Sequence, residues 1–189
     1  MTVTHDPVDE LVLPRFMTFE QWTRLDAERP VELVEGVPVV SPFEPLAHLG
    51  AAGRLGRLIE DASNRRLSTL PGVPVDVTVD GERPTVRIPD LVVFEGELTE
   101  SAAVMAASRA LLVAEVVSRT SVERDWVAKR AEYAAAGIPR YLIVDGLTGR
   151  LALFDEIVDG RYADPRTDAD SVTLVLDDAS LTLTLDDLL

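Results

Sequence analysis

The sequence predicts a mixed α/β domain in which a central β-sheet is flanked by helices. Short runs rich in valine and leucine, bounded by turn signals, recur at 73–79, 85–94, 110–117 and 141–144 and read as core strands. Between them lie segments with apolar residues at helical spacing behind capping residues. The tail alternates apolar and polar residues at 151–154, 172–176 and 181–185, the pattern of antiparallel strands with one solvated face. With 189 residues, 47% of them hydrophobic, the chain is long enough for one domain with a substantial core. Residues 14–189 are expected to form it, and 1–13 to be a flexible N-terminus.

Thr18-Phe19-Glu20-Gln21 has the spacing of a capping box, in which the hydroxyl and the side-chain amide satisfy free N–H groups. The helix it opens is expected to run to about Glu28, with Phe19, Trp22 and Leu25 on one side, before Pro30 stops it. Residues 31–40 read as two strands joined by a tight turn at Glu35-Gly36. From Pro45 to Leu67, the positions Leu55, Leu58, Ile59 and Ala62 define the apolar side of a long helix whose other side carries arginines. Residues 101–108 are expected to form a short helix. Thr120-Ser121-Val122-Glu123 is a second capping box, and its helix should end at Gly137, just before Pro139.

The chain has no cysteine and only two histidines, His5 and His48, so thiolate sites and a histidine-rich zinc site are excluded. Any bound metal must be held by oxygen, which favours magnesium or manganese. No stretch is long and apolar enough to span a membrane, and the protein is expected to be cytoplasmic with no membrane partner. The formal net charge of -15 opposes a nucleic-acid role, because a polyanion attracts a lysine and arginine surplus. A local basic groove remains compatible with it, built from Arg54, Arg57, Arg65 and Arg66 or from Arg119, Arg124 and Arg130.

Along 85–94, alternation puts Val86, Ile88, Asp90, Val92 and Phe94 on one strand face; along 110–117 it groups Leu111, Val113, Glu115 and Val117. Each apolar row is thus broken by one carboxylate. If the strands are neighbours the two acids converge, and their repulsion and lost solvation call for a cation between them. Alternatively each acid pairs with an arginine, such as Arg87 or Arg109, or lies at a strand end in water. On the following helix Val122, Trp126, Lys129 and Tyr133 form one stripe at spacings of four, three and four. The lysine in it either pairs with Asp125 one turn back, with its methylenes along the core, or projects its ammonium towards Asp90 and Glu115. His48 shares a helical face with Leu55 and Ile59, Tyr133 reads as packing, and Asp145 reads as the cap of a turn that could also lie near the acids.

These residues, in this order, resemble the PD-(D/E)XK nuclease superfamily, and more closely its Uma-two family of restriction endonucleases. The resemblance rests on Glu32-Leu33-Val34-Glu35-Gly36, His48 opening a helix, Ile88-Pro89-Asp90-Leu91, Glu115-Val116-Val117-Ser118, Asp125 with Lys129 and Tyr133, and Gly137-Ile138-Pro139-Arg140-Tyr141 before Ile143-Val144-Asp145. It covers about 18–162. One departure from the general motif is Val117, which stands where the superfamily has its lysine; in the resembled family the next helix supplies it, and Lys129 fills that place.

The resemblance implies a restriction-endonuclease-like fold and hydrolysis of DNA phosphodiester bonds. It implies a catalytic set of Asp90, Glu115, Lys129 and Glu32. Asp90, Glu115 and the backbone carbonyl of Val116 would hold magnesium or manganese, and His48 would contact phosphate. Glu32 answers to the extra acid that many superfamily members contribute from an N-terminal element; without a site it would be a rim carboxylate on an exposed strand face. Cutting two antiparallel strands suits a homodimer. The alternative is a catalytically silent nuclease-fold module that binds or regulates through protein contacts, which the acidic surface favours.

Overall fold

The computed structural model describes residues 13–26, 29–41, 45–96, 103–167 and 171–189. Two five-stranded mixed sheets form its centre. The first has the order β2–β1–β5–β4–β7, made of β1 (Val31–Val34), β2 (Val37–Val40), β4 (Val75–Asp76), β5 (Val86–Arg87) and β7 (Met105–Ala106). The second has the order β10–β9–β8–β6–β3, made of β3 (Leu67–Leu70), β6 (Leu91–Glu95), β8 (Leu112–Val116), β9 (Tyr141–Asp145) and β10 (Arg150–Phe154). In the second sheet β8 runs parallel to β9 and antiparallel to β6, so the expected mixed sheet flanked by helices is present.

Strand alternation sorts the core into two layers. Leu112, Ala114 and Val116 of β8, with Leu91 and Val93 of β6, pack under α2 (Leu46–Ala62) through Ala51, Ala52, Leu55 and Ile59. The hairpin β13 (Ser171–Leu176) and β14 (Ala179–Thr184) and the final turn α4 (Leu185–Leu188) close that side. On the other face Val113 and Val117, with Val92 and Phe94, meet Tyr133, Ile138, Tyr141 and Phe154. The covering helix there begins with a π-helical stretch, Arg124–Lys129, and continues as α3 (Arg130–Ala135). A small hairpin, β11 (Ile157–Val158) and β12 (Arg161–Tyr162), lies beyond.

Local backbone chemistry explains the elements that match expectation. The capping box of Thr18 and Gln21 starts α1 (Phe19–Thr23), and Glu35 and Gly36, at φ 48° and 77°, make the tight turn between β1 and β2. Gly137, at φ 76°, ends α3, with the Ile138 N–H donating to the Tyr133 carbonyl.

Other elements differ from the expectation. α1 ends at Thr23, short of the expected boundary, and residues 27–28, like 1–12, lie outside the described residues. α2 ends at Ala62, and Leu67 instead begins β3. The strand expected over 85–94 is broken at Ile88-Pro89-Asp90 into β5 and β6, which belong to different sheets; Pro89 has no N–H to give a ladder. The helix expected over 101–108 is, where described, the short strand β7 and one 3₁₀ turn, Ala107–Arg109. At 120–123 the Ser121 hydroxyl, rather than the Thr120 to Glu123 box, organises the turn by accepting from the Ser118 N–H at 2.9 Å.

Candidate active site

The break at Pro89 sets up the site. It turns the chain out of β5 and into β6 at Asp90, and the β6–β8 register, with Leu91 opposite Ala114, brings Asp90 level with Glu115. The Asp90 carboxylate accepts a 2.6 Å hydrogen bond from the Val116 N–H, which ties the proline turn to β8. Glu115 itself is buried on the face covered by the π-helical stretch and α3.

That helix presents Ser121, Asp125, Lys129 and Tyr133 inward, each no more than 3% exposed. Steps of four drift around an α-helix, but the wider i→i+5 turn of Arg124–Lys129 rewinds the drift and keeps all four in line. The expected stripe is corrected accordingly: Val122 is 41% exposed, and Trp126 turns aside, where its indole N–H donates to Asp145 and Arg150 stacks on its ring.

Lys129 Nζ lies 2.7 Å from Glu115 Oε1 and 3.5 Å from Glu32 Oε1. Its ammonium thus projects to Glu115, and the reading in which it pairs with Asp125 is not followed: among the described residues the ion-pair partners of Lys129 are Glu115 and Glu32. Glu32 is buried rather than a rim carboxylate. It accepts from the Ile88 N–H at 3.0 Å and from Arg87 Nη1 at 3.0 Å. Arg87 grips Glu132 of α3 with two further hydrogen bonds of 2.5 and 2.7 Å. Arg87 therefore serves Glu32 and Glu132, not Asp90 or Glu115. Tyr133 does more than pack, donating its hydroxyl to Glu115 Oε1 at 2.8 Å. Asp145 caps the β9–β10 turn through the Leu147 and Thr148 N–H groups at 3.0 and 3.1 Å.

Burial shapes the charges. It pushes the Glu115 carboxyl well above the usual range, with Lys129 opposing and Asp90 and Asp125 adding to the push. Burial likewise raises Asp125, against the pull of Lys129 and of a hydrogen bond from Ser121. For Glu32 burial is outweighed by Lys129 and Arg87, and its pKa falls. Lys129 resists burial because Glu115 and Glu32 flank it, so its pKa rises and it keeps its proton.

A cavity of about 320 Å³ opens beside these groups, lined by Glu32, His48, Asp90, Arg124 and Lys129 among others. The sequence-predicted Glu32, His48, Asp90 and Lys129 thus share one cavity, with Glu115 behind Lys129 and Val116 beside Asp90. Sequence reasoning misses Glu132; it takes Arg124 as part of a basic groove, Asp125 as a partner of Lys129 and Arg87 as a partner of Asp90 or Glu115, and none of them as a catalytic or metal-holding residue. The available signals were an arginine between Val86 and Ile88 and an aspartate midway between Ser121 and Lys129.

Among the described residues no group of three or more His, Cys, Asp or Glu side chains is arranged to hold a metal ion. Two carboxylates and a main-chain carbonyl nevertheless suit magnesium, which keeps several of its waters.

A crystal structure from Anabaena variabilis ATCC 29413, described as "a putative nuclease belonging to DUF820", superposes with a TM-score of 0.69 at 15% sequence identity. The match covers 91% of this chain and 97% of that one, and it shows that the two share a fold, which is restriction-endonuclease-like. No curated protein matches the chain. The model of the Uma2 family, described as "Putative restriction endonuclease", matches residues 16–186, nearly the whole of the architecture above, and the chain belongs to that family.

Proposed function

We propose that the protein is a metal-dependent endonuclease that hydrolyses DNA phosphodiester bonds. The observation that carries this reading is the buried Lys129–Glu115 contact of 2.7 Å behind a cavity lined by Asp90. A lysine in such a place loses its hydration unless carboxylates repay it, and a packed apolar residue would cost less if no chemistry required the charge.

Asp90, Glu115 and the Val116 carbonyl would hold magnesium or manganese, which polarises a phosphodiester and lowers the pKa of a bound water. Lys129 donates towards the same place, where its proton can orient the attacking water or stabilise charge developing on the phosphate. Glu32 and Arg87 act on that ammonium as positioning residues, because both are buried and hydrogen-bonded to each other. His48, which lines the cavity from α2, would contact a phosphate oxygen. A homodimer would bring two such sites to the two strands of a duplex.

The test is cleavage of plasmid and single-stranded DNA with magnesium, manganese or EDTA, beside Asp90→Ala, Glu115→Ala and Lys129→Ala. Metal-dependent cutting that all three substitutions abolish supports the reading. One observation favours the rival silent module, the net charge of -15, and folded protein that cuts none of these substrates with either metal would select it.

A further inference from the structure

We propose that Arg124 is a substrate-binding residue of this site, gripping a phosphate of the nucleic-acid backbone at the mouth of the cavity. The proposal rests on the nuclease reading above and adds to it a contact with the substrate.

Three cations stand in or behind the cavity, and two of them are committed to carboxylates. Lys129 is held by Glu115 and Glu32, and Arg87 by Glu32 and Glu132. Arg124 is different. Its side chain is 30% exposed, yet its Nε is buried with no hydrogen-bond partner among the described residues. Its ion-pair partner, Asp125 Oδ1, lies 3.6 Å away, too far for a hydrogen bond, and is itself buried without one. A guanidinium carries five N–H donors in a rigid fork. Leaving one buried and unmet costs free energy, and an orphan of this kind calls for a partner, which beside a cavity an anionic ligand can supply. Asp125 restrains the side chain by charge without satisfying it.

Position supports the same conclusion. Arg124 opens the π-helical stretch that ends at Lys129, one wide turn away. Both line the cavity with Asp90. Arg124 also borders a second, shallower depression with Thr120, Glu123 and Val127, so it stands on the ridge that a strand leaving the cavity would cross.

Four of the other six basic candidates are engaged elsewhere. Arg54 donates to the Leu188 carbonyl, Arg65 meets Glu60 and Asp61, Arg66 pairs with Asp178, and Arg130 stacks on Phe154. A phosphodiester offers two anionic oxygens in the geometry that an arginine fork matches.

Binding of a fluorescent 20-base-pair duplex is measured by anisotropy, with calcium replacing magnesium, across a series of salt concentrations. Cleavage with magnesium is followed in parallel for wild type, Arg124→Ala, Arg124→Lys and the exposed control Arg161→Ala on the β11–β12 hairpin. Arg124→Ala is expected to bind about tenfold more weakly and to flatten the slope of log K against log salt by about 0.9, the increment for one phosphate fewer neutralised. Arg124→Lys should restore the slope but not the full affinity, since lysine keeps the charge and loses the fork. Arg161→Ala should match wild type. If wild type cuts and Arg124→Ala binds with unchanged affinity and slope, the assignment of Arg124 is overturned while the nuclease reading stands. If wild type neither binds nor cuts, both fall. A thermal melt of each variant separates weakened binding from a damaged fold, and the lysine variant carries the test if the alanine variant unfolds.

Discussion

Arg87 joins two elements far apart in sequence, for it holds Glu32 of β1 and Glu132 of α3 at once. Replacing it with methionine leaves the buried Glu32 with only Lys129 and the Ile88 N–H and frees Glu132, so Arg87→Met should lose about 3 kcal/mol of stability, read as a lowered urea midpoint. Adding Glu32→Gln to that background should recover part of the loss, and a strictly additive pair would show that the two do not interact. For chemistry, Lys129→Met should slow cleavage by about 10²- to 10³-fold in protein that still melts cooperatively. Lys129→Arg should not rescue it, because the fork does not fit a space shaped for an ammonium. The sequence revealed Lys129 because a charge within an apolar helix stripe is anomalous on any reading, and Asp90 and Glu115 because each interrupts an alternating row. It did not reveal that Arg87 would choose Glu132, 45 positions away, since nothing local decides which of several acids an arginine meets.

Among elements, the π-helical stretch has the largest functional weight. Deleting Val127, which is 57% exposed, would close the turn to ordinary α-helix and, with three steps of about 100° where four now stand in line, leave Asp125 about 60° out of line with Lys129. Cleavage should vanish while far-ultraviolet circular dichroism stays nearly unchanged; retained activity would show that the alignment is dispensable. α2 offers a paired test on two glycines. A Cβ at Gly56 would lie 2.7 Å from the Thr69 hydroxyl oxygen, whereas one at Gly53 would meet only the Arg57 guanidinium at 3.6 Å. Gly53→Ala should therefore stabilise by about 1 kcal/mol through helix propensity. Gly56→Ala should destabilise, because Thr69 is tied to Glu60 at 2.7 Å and the overpacked contact costs more than propensity returns. Caps and turns such as Thr18–Gln21, Glu35-Gly36 and Gly137 were legible because their signals act within a few residues. The π turn and the split at Pro89 were not, because both answer to tertiary demands: one aligns polar groups over Glu115, the other passes the chain between sheets.

At the scale of the molecule, the proposed metal site makes a general prediction about divalent ions. Magnesium at about 100 times its dissociation constant should raise stability by about 2.7 kcal/mol, seen as a higher melting temperature than in sodium chloride of equal ionic strength. Asp90→Asn should abolish most of that difference; an equal rise in the variant would assign the effect to the acidic surface at large. No described helix is long and apolar enough to cross a membrane.

The crossing at Pro89 has a further consequence for how the molecule forms. Glu32 and Arg87 belong to one sheet, Glu115 to the other, and Lys129 to the helix that covers the second. Local pairings such as the β1–β2 hairpin can form early, since closing short loops costs little entropy. The ion pairs of Lys129 with Glu32 and Glu115 require both sheets and the helix to have docked. Cleavage activity should therefore be among the last signals to return in a refolding experiment, lagging the recovery of secondary structure, so that turnover itself reports completion of the fold.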